Sequence, residues 1–309
     1  MKTMSSLLLW LSLTALLAAG PVERTDRDLC GWLGRLLAVT GEQGARFNSL
    51  SVSVEKTVSP GQPNGRVEIR TPERLYRFGQ VLALAEGTSD NHRNRDDRTW
   101  NIDFPVTVET PTLRDAELES APETQTAVAR LRERFSGLPD AKLTQLQLRR
   151  VQSLPSLAGM GSLPFTVTLA APSARLLVDA VGEPERKQPL LGLLSGKLSS
   201  AGASTLGTYH GKLLCRIRPT RADRPTRESL EAAVHQVLDP VAPPPFLLQY
   251  DLLQSDSARI RFEAVVKGLP EAWSTLESLL ALPALVSHEI LEVRVDTQGR
   301  VAVSGLLYF

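Results

Sequence analysis

Residues 225–266 read PTRESLEAAVHQVLDPVAPPPFLLQYDLLQSDSARIRFEAVV, and residues 268–309 read GLPEAWSTLESLLALPALVSHEILEVRVDTQGRVAVSGLLYF. Each block carries one helical period followed by two stretches of alternation. In the first, Leu230, Ala233, Val234, Val237 and Leu238 recur every three or four residues, which places them on one helix face. Pro225 precedes this helix and Pro240 follows it, as helix punctuation requires. Pro243, Pro244 and Pro245 stiffen the turn that comes next. Phe246, Leu248, Tyr250 and Leu252 then alternate. After a break at Ser255–Ser257, Ile260, Phe262, Ala264 and Val266 alternate with Arg259, Arg261 and Glu263. A period of two marks half-buried strands, here arranged as a hairpin.

The second block repeats the plan. Leu269-Pro270-Glu271 opens a helix, with proline and a carboxylate in the first turn where the free amides tolerate both. Trp273, Leu276, Leu279 and Leu280 form its inner stripe, and Pro283 ends or kinks it. Leu291, Val293 and Val295 alternate with Glu292, Arg294 and Asp296. A turn at Asp296–Gly299 leads to a last strand with Val301, Val303, Gly305 and Leu307. The order is α-β-β-α-β-β. Two hairpins make a four-stranded antiparallel sheet, and two helices cover one face of it. The predicted fold class is α+β: serial two-layer ferredoxin-like modules in permuted αββαββ order.

The same plan extends upstream. Val128, Leu131 and Phe135 make a helical stripe, Leu143–Leu148 a strand, and Phe165–Ala170 its partner. A helical stretch is expected over 173–198, broken at Gly182–Pro184 and near Pro189, with a final strand over 211–217. Nearer the start, Leu29, Leu33, Leu36 and Leu37 predict a helix. Leu50, Val52 and Val54 predict a strand, as do Val67 with Ile69 and the stretch 100–109, and residues 73–85 predict a second helix. Residues 88–98 read as a polar loop. The expected layout is a looser α+β module at 24–110, a ferredoxin-like module at 121–218 and another at 225–309, with proline-rich joints at 111–122 and 219–225. A period of about 40 residues also fits a solenoid. The joints fall after every second unit, which favours serial domains.

Residues 1–23, MKTMSSLLLWLSLTALLAAGPVE, form a different kind of segment. Lys2 gives a positive start. An uncharged run of about 15 residues from Ser5 to Ala19 follows, centred on Leu7, Leu8, Leu9, Leu11, Leu13, Leu16 and Leu17. Small residues Ala18, Ala19 and Gly20 come next. That order is a secretory signal, and the run is short of the roughly 17–25 residues of a spanning helix. The segment reads as a cleaved signal peptide or an uncleaved membrane anchor, with the rest of the chain outside the cytoplasm.

Without residues 1–20 the chain holds 34 basic and 34 acidic residues. That balance argues against a nucleic-acid partner. Cys30 and Cys215 are the two cysteines, and they read as packed thiols or as a long-range pair. Reaction chemistry is sparse. His92, His210, His235 and His288 show no metal-ligand spacing, and no H-E-x-x-H occurs. No G-x-S-x-G elbow is present; Gly159-Met160-Gly161-Ser162 is the nearest approach and reads as a loop. Asp96-Asp97 and the pair Glu117 and Glu119 fall in charged sequence where solvation keeps carboxylates ordinary. No catalytic residue, no cofactor and no metal is expected, so the chain reads as a non-enzyme.

Residues 276–286, LESLLALPALV, then 290–295, ILEVRV, then 299–308, GRVAVSGLLY, resemble the periplasmic domains of the PilO and GspM families. These are inner-membrane assembly proteins of type IV pili and type II secretion systems. The resemblance covers about 85 residues and includes the strand 258–266 and Leu269-Pro270. It implies a permuted αββαββ domain and a bacterial envelope scaffold. It also implies protein partners, either a second copy or homologous assembly proteins, with the membrane engaged through residues 1–23 where these are uncleaved. Candidate interface residues on the last strand are Val301, Val303, Leu306 and Tyr308; Val301 and Val303 also suit the module's own core. Two other readings remain: a secreted periplasmic protein that binds a small ligand or peptide, and a hydrolase with an unrecognised site. An outer-membrane barrel, suggested by the Tyr308-Phe309 ending, conflicts with the helical stripes.

Overall fold

A computed structural model of the chain describes residues 24–25, 37, 49–54, 65–70, 88–90, 99–104, 106–107, 122–154, 159–187, 191–201, 204–217, 226–242, 246–252 and 258–309. Two compact units divide it, Met1–Glu109 and Thr110–Phe309. The segment 1–23 and the helix expected at 73–85 lie outside the described residues. So does the helix expected at 29–37 apart from Leu37, which is helical and buried.

In the first unit, β1 (Arg24–Thr25) pairs in parallel with β6 (Val106–Thr107). A four-stranded antiparallel sheet has the order β2-β3-β5-β4. Its members are β2 (Ser49–Val54), β3 (Gly65–Arg70), β4 (Thr88–Asp90) and β5 (Thr99–Phe104). The strands expected near 50–54, 67–69 and 100–109 are present. Thr88–Asp90, read from sequence as loop, instead hydrogen-bonds to β5.

The second unit is α+β. It begins with α1 (Thr124–Ser136), β7 (Lys142–Arg149), the short β8 (Gln152–Ser153) and β9 (Met160–Ala171). Then come α2 (Ala174–Lys187), β10 (Leu191–Ala201) and β11 (Ser204–Arg216). The plan repeats with α3 (Arg227–Leu238), β12 (Leu247–Leu252), β13 (Ala258–Val266), α4 (Leu269–Leu280), β14 (Ser287–Val295) and β15 (Val301–Tyr308). In each half the four long strands are antiparallel. They take the order first, second, fourth, third: β7-β9-β11-β10 and β12-β13-β15-β14.

The apolar stripes read from sequence face the core. Ala127, Val128, Leu131 and Phe135 of α1 are buried, as are Trp273, Leu276, Leu279 and Leu280 of α4. Ile260, Phe262, Ala264 and Val266 of β13 oppose them, while Arg261, Glu263 and Val265 point to the other face. The α3 helix starts at Thr226, whose hydroxyl oxygen accepts from the Ser229 amide at 3.3 Å. At 296–300 the Asp296 carboxylate accepts from the Gln298 and Arg300 amides, and Gly299 adopts a φ of +79° that closes the hairpin.

The helical expectation over 173–198 is corrected. The helix predicted over 173–198 ends at Lys187, and residues 191–201 form β10. The leucines at 191, 193, 194 and 198 fit a helical spacing, but Gly192 and Gly196 weaken a helix by about 1 kcal/mol each. A long antiparallel ladder to β11, from Leu191↔Leu213 to Ala201↔Ser204, takes up the backbone instead. Gly182 and Pro184 lie within α2 and do not end it. The final strand is also longer than expected, beginning at Ser204.

Candidate functional site

The two αββαββ halves of the second unit meet edge to edge. β14 of one pairs antiparallel with β7 of the other, from Ile290↔Arg149 to Arg294↔Gln145. On the helix-covered face this joint sets Leu291 beside Leu148 and Val293 beside Leu146, all at most 1 % exposed. Each such burial contributes about 1.5–3 kcal/mol. On the opposite face the Gln145 amide donates to the Glu292 carboxylate at 2.7 Å, which also takes Arg294 at 2.7 Å. A half-exposed polar contact of that kind is worth about 1 kcal/mol. The joint is therefore held by apolar core. Between the helices, Arg132 of α1 reaches Glu277 of α4 at 3.0 Å.

A β-bulge lies at the start of β14. His288 pairs with Leu307 and Leu291 with Gly305, so Glu289 and Ile290 together oppose Leu306. A Cβ on Gly305 would stand 2.5 Å from Leu291 Cδ2 and 2.6 Å from the Ile290 carbonyl oxygen. The bulge turns His288 inward, where it is 2 % exposed. Its Nε2 lies 2.9 Å from the Arg149 carbonyl. A carbonyl only accepts, so Nε2 carries the proton and Nδ1 holds a lone pair. Burial pushes the His288 pKa down to about 4; the bond to the Arg149 carbonyl opposes that shift and the Arg150 charge adds to it.

Beside His288 a cleft of about 170 Å³ opens where the halves meet. The N-cap Glu123 and first turn (Thr124, Gln125) of α1, Arg150 and Val151 just past the end of β7, and Ile217 form one side. Leu280, Leu285, Val286, Ser287 and His288 form the other. Val286 and Ile217 are exposed at its lip. No side chain caps the α1 N-terminus. Gln125 Oε1 is buried without a hydrogen-bond partner.

The residues singled out from sequence are dispersed. Val301 and Val303 are buried in the core, and β15 is paired on both sides, by β13 and β14. Leu306 and Tyr308 are half-buried on the face away from the helices. There the Tyr308 hydroxyl donates to Glu289 at 2.6 Å, which raises its pKa. Leu7, Leu8, Leu9, Leu11, Leu13, Leu16 and Leu17 lie outside the described residues, as do His92, Cys30, Asp96, Asp97, Glu117 and Glu119. His210 lies on β11 with Nδ1 2.9 Å from the Thr166 hydroxyl; its residue surface is largely exposed, but partial enclosure of the ring and then Arg149 lower its pKa. His235 is exposed and lies 3.1 Å from Asp239. Cys215 is a free, buried thiol whose pKa is raised by burial, the opposite of an activated nucleophile. Ser162, read as a loop residue, lies in β9 opposite Leu214. Among the described residues no group of His, Cys, Asp or Glu is placed to hold a metal ion. No helix among them is long and apolar enough to cross a membrane.

The cleft residues Gln125, Arg150 and His288 were not found as a site from sequence. They are far apart in the chain and converge only through the β14–β7 joint. The available signal was Gly305, a glycine inside a strand pattern, which marks a bulge or a close approach.

No protein-family model and no curated protein matches the chain. Among solved structures, the crystal structure of an inactive mutant of CurK dehydratase aligns with 61 % of this chain and 83 % of that chain. Its identity is 7 % and its TM-score 0.16, a likeness that carries no argument about fold or activity.

Proposed function

We propose that the chain is a non-enzymatic assembly scaffold of the bacterial cell envelope, of the kind found among type IV pilus and type II secretion inner-membrane components. In this reading each half of the second unit is a permuted ferredoxin-like module, and residues 1–23 are a signal peptide or anchor. The observation that carries the proposal is the β14–β7 joint. The modules associate by adding the edge strand of one to the edge strand of the other. Strand addition is a general means of protein recognition, in which backbone groups give affinity and side chains give specificity. β12 is the strand of the second module equivalent to β7, and among the described residues it pairs with β13 alone. Its Leu247 is 50 % exposed, and Val265 nearby is exposed on the same sheet face. The expected partners are a second copy or a homologous envelope protein that offers such an edge.

Photo-crosslinking from Leu247 and Gln249 in intact cells tests this reading. The expected products, identified by mass spectrometry, are this chain or envelope assembly proteins. Products that include neither overturn it. Amino-terminal sequencing of the mature protein reports on the leader: a start near Pro21 means a released protein, and an intact start means a tethered one.

A further inference from the structure

We propose that the free edge of β12 pairs with β12 of a second copy of this chain, antiparallel about a two-fold axis at Gln249. The proposal rests on the strand-addition reading of β12 and names its partner.

β12 has none of the devices that protect an exposed edge. Leu247–Tyr250 carry no charge and no proline. The ladder to β13 runs from Leu247↔Glu263 to Leu252↔Ala258 without a bulge. The helix-facing side chains of β12 are also incompletely covered. Leu146 and Leu148 of β7, the equivalent strand, are 0 % exposed at the β14–β7 joint, whereas Leu248 and Tyr250 are only half-buried. Pairing Leu248 with Tyr250 of a second copy buries both, as the joint buries its leucines.

The α3 helix determines which occupant fits. The Arg227 guanidinium lies 4.9 Å from the centre of the Tyr250 ring, and the His235 ring lies 5.2 Å from that of Phe246. The helix therefore runs antiparallel to β12, and Glu231, midway between, stands level with Leu248. The two spacings agree, since 227–235 of helix and 246–250 of strand each span about 12–13 Å. A two-fold axis through Gln249 sets Tyr250 opposite Leu248 of the second copy, and so sets Arg227 opposite Glu231 twice. An axis through Leu248 would oppose Glu231 to itself, and one through Tyr250 would oppose Arg227 to itself. Of the three, the Gln249 axis alone makes the two α3 surfaces complementary in charge. It also keeps the ladder within Leu247–Asp251, clear of Pro245, which has no N–H to give.

The β14–β7 joint has the same two parts. Its ladder runs from Ile290↔Arg149 to Arg294↔Gln145, and above it an ion pair joins the helices, Arg132 to Glu277 at 3.0 Å. Backbone and apolar pairs supply the affinity of such a contact, and charges set its register. A two-fold contact uses the same surface on both copies, so it closes at a dimer.

The test is sedimentation velocity on the purified full chain at pH 7.5, from about 1 to about 100 µM. The expected result is a monomer–dimer equilibrium. Arg227→Glu alone and Glu231→Arg alone set like charges across the axis, and each should weaken dimerisation at least about tenfold. Both changes also break the Arg227–Glu231 ion pair within α3, so the decisive sample is an equal mixture of the two variants. In the mixture the charges across the axis are opposite again while each helix keeps its broken pair, and the dimer should return. Gln249→Cys reports the register. It should give a disulfide-linked dimer in air, and Leu247→Cys, off the axis, should not, with the wild type showing what Cys30 and Cys215 contribute. A monomer at the highest concentration, single variants that dimerise as the wild type does, or a mixture that stays monomeric would overturn the proposal. So would a linked dimer from Leu247→Cys but not from Gln249→Cys, or a growing series of larger oligomers. None of these outcomes touches the scaffold reading, which falls only where the crosslinks in cells contain neither this chain nor an envelope assembly protein.

Discussion

Acid should weaken the second unit through His288. The imidazole is 2 % exposed and its pKa is pushed down to about 4 from the ordinary 6.5. In the unfolded chain the same ring takes up a proton below about pH 6.5. Between those values the unfolded state binds more protons, so stability rises with pH and is lost as pH falls. The contribution is fully present above pH 6.5 and gone below pH 4. Over that window the loss is about 3 kcal/mol, and at pH 5 it reaches about 2 kcal/mol. The measurement is urea denaturation at pH 7.5 and pH 5, followed by tryptophan emission with Trp273 as the buried reporter. His288→Gln is the reference, because glutamine keeps a donor for the Arg149 carbonyl and does not titrate. His210, whose pKa is also lowered, and Asp296, whose carboxyl is held low by Arg300, are present in both proteins and cancel. The wild type should lose about 2 kcal/mol more than the variant between the two pH values. Equal losses, within about 0.5 kcal/mol, would refute the placement of a neutral, buried His288.

Three further substitutions probe the fold at pH 7.5 by the same denaturation. Gly305→Ala forces a Cβ to 2.5 Å from Leu291 and 2.6 Å from the Ile290 carbonyl, and should cost about 1–3 kcal/mol. Gly299→Ala, with open space but a φ of +79°, should cost about 1 kcal/mol. Thr226→Ala removes the α3 cap and should cost about 1 kcal/mol. A loss below about 0.3 kcal/mol in any of them argues against the local geometry that motivates it.

Most of the second unit was legible because its periods are clean. α3, β12, β13, α4 and β15 each carry one unbroken stripe with proline or glycine at the ends, and each was placed to within a few residues. β10 was not legible, because four leucines fit a helix as well as a strand until β11 supplies a ladder. Nor was the edge-to-edge joint. Leu146, Leu148, Leu291 and Val293 read as core of two separate modules, and nothing in their spacing shows that they face one another. The cleft follows from the joint, so it was hidden with it. The thiol of Cys215 was read correctly as packed, since alternation alone places it on the inner face of its strand.

The bulge in β14 explains why joint and cleft occur together. Counting back from Val293 and Leu291, unbroken alternation would turn Glu289 inward and His288 outward. A carboxylate buried there would cost several kcal/mol without a partner. The extra residue reverses the parity: His288 and Leu291 both face inward, and Glu289 and Ile290 both face out. Glu289 then meets the Tyr308 hydroxyl in solvent, and Ile290 begins the ladder to β7 at Arg149. The same Arg149 offers its carbonyl to His288. The reversal needs Gly305, the residue across which the bulged strand passes closest. A side chain at 305 therefore presses at once on the first rung of the joint and on the orientation of His288. Amide hydrogen exchange in Gly305→Ala should show it: Ile290–Arg294 and Gln145–Arg149 should lose protection together, ahead of β12 and β13. Loss of protection confined to β15 would mean that the bulge and the joint are independent.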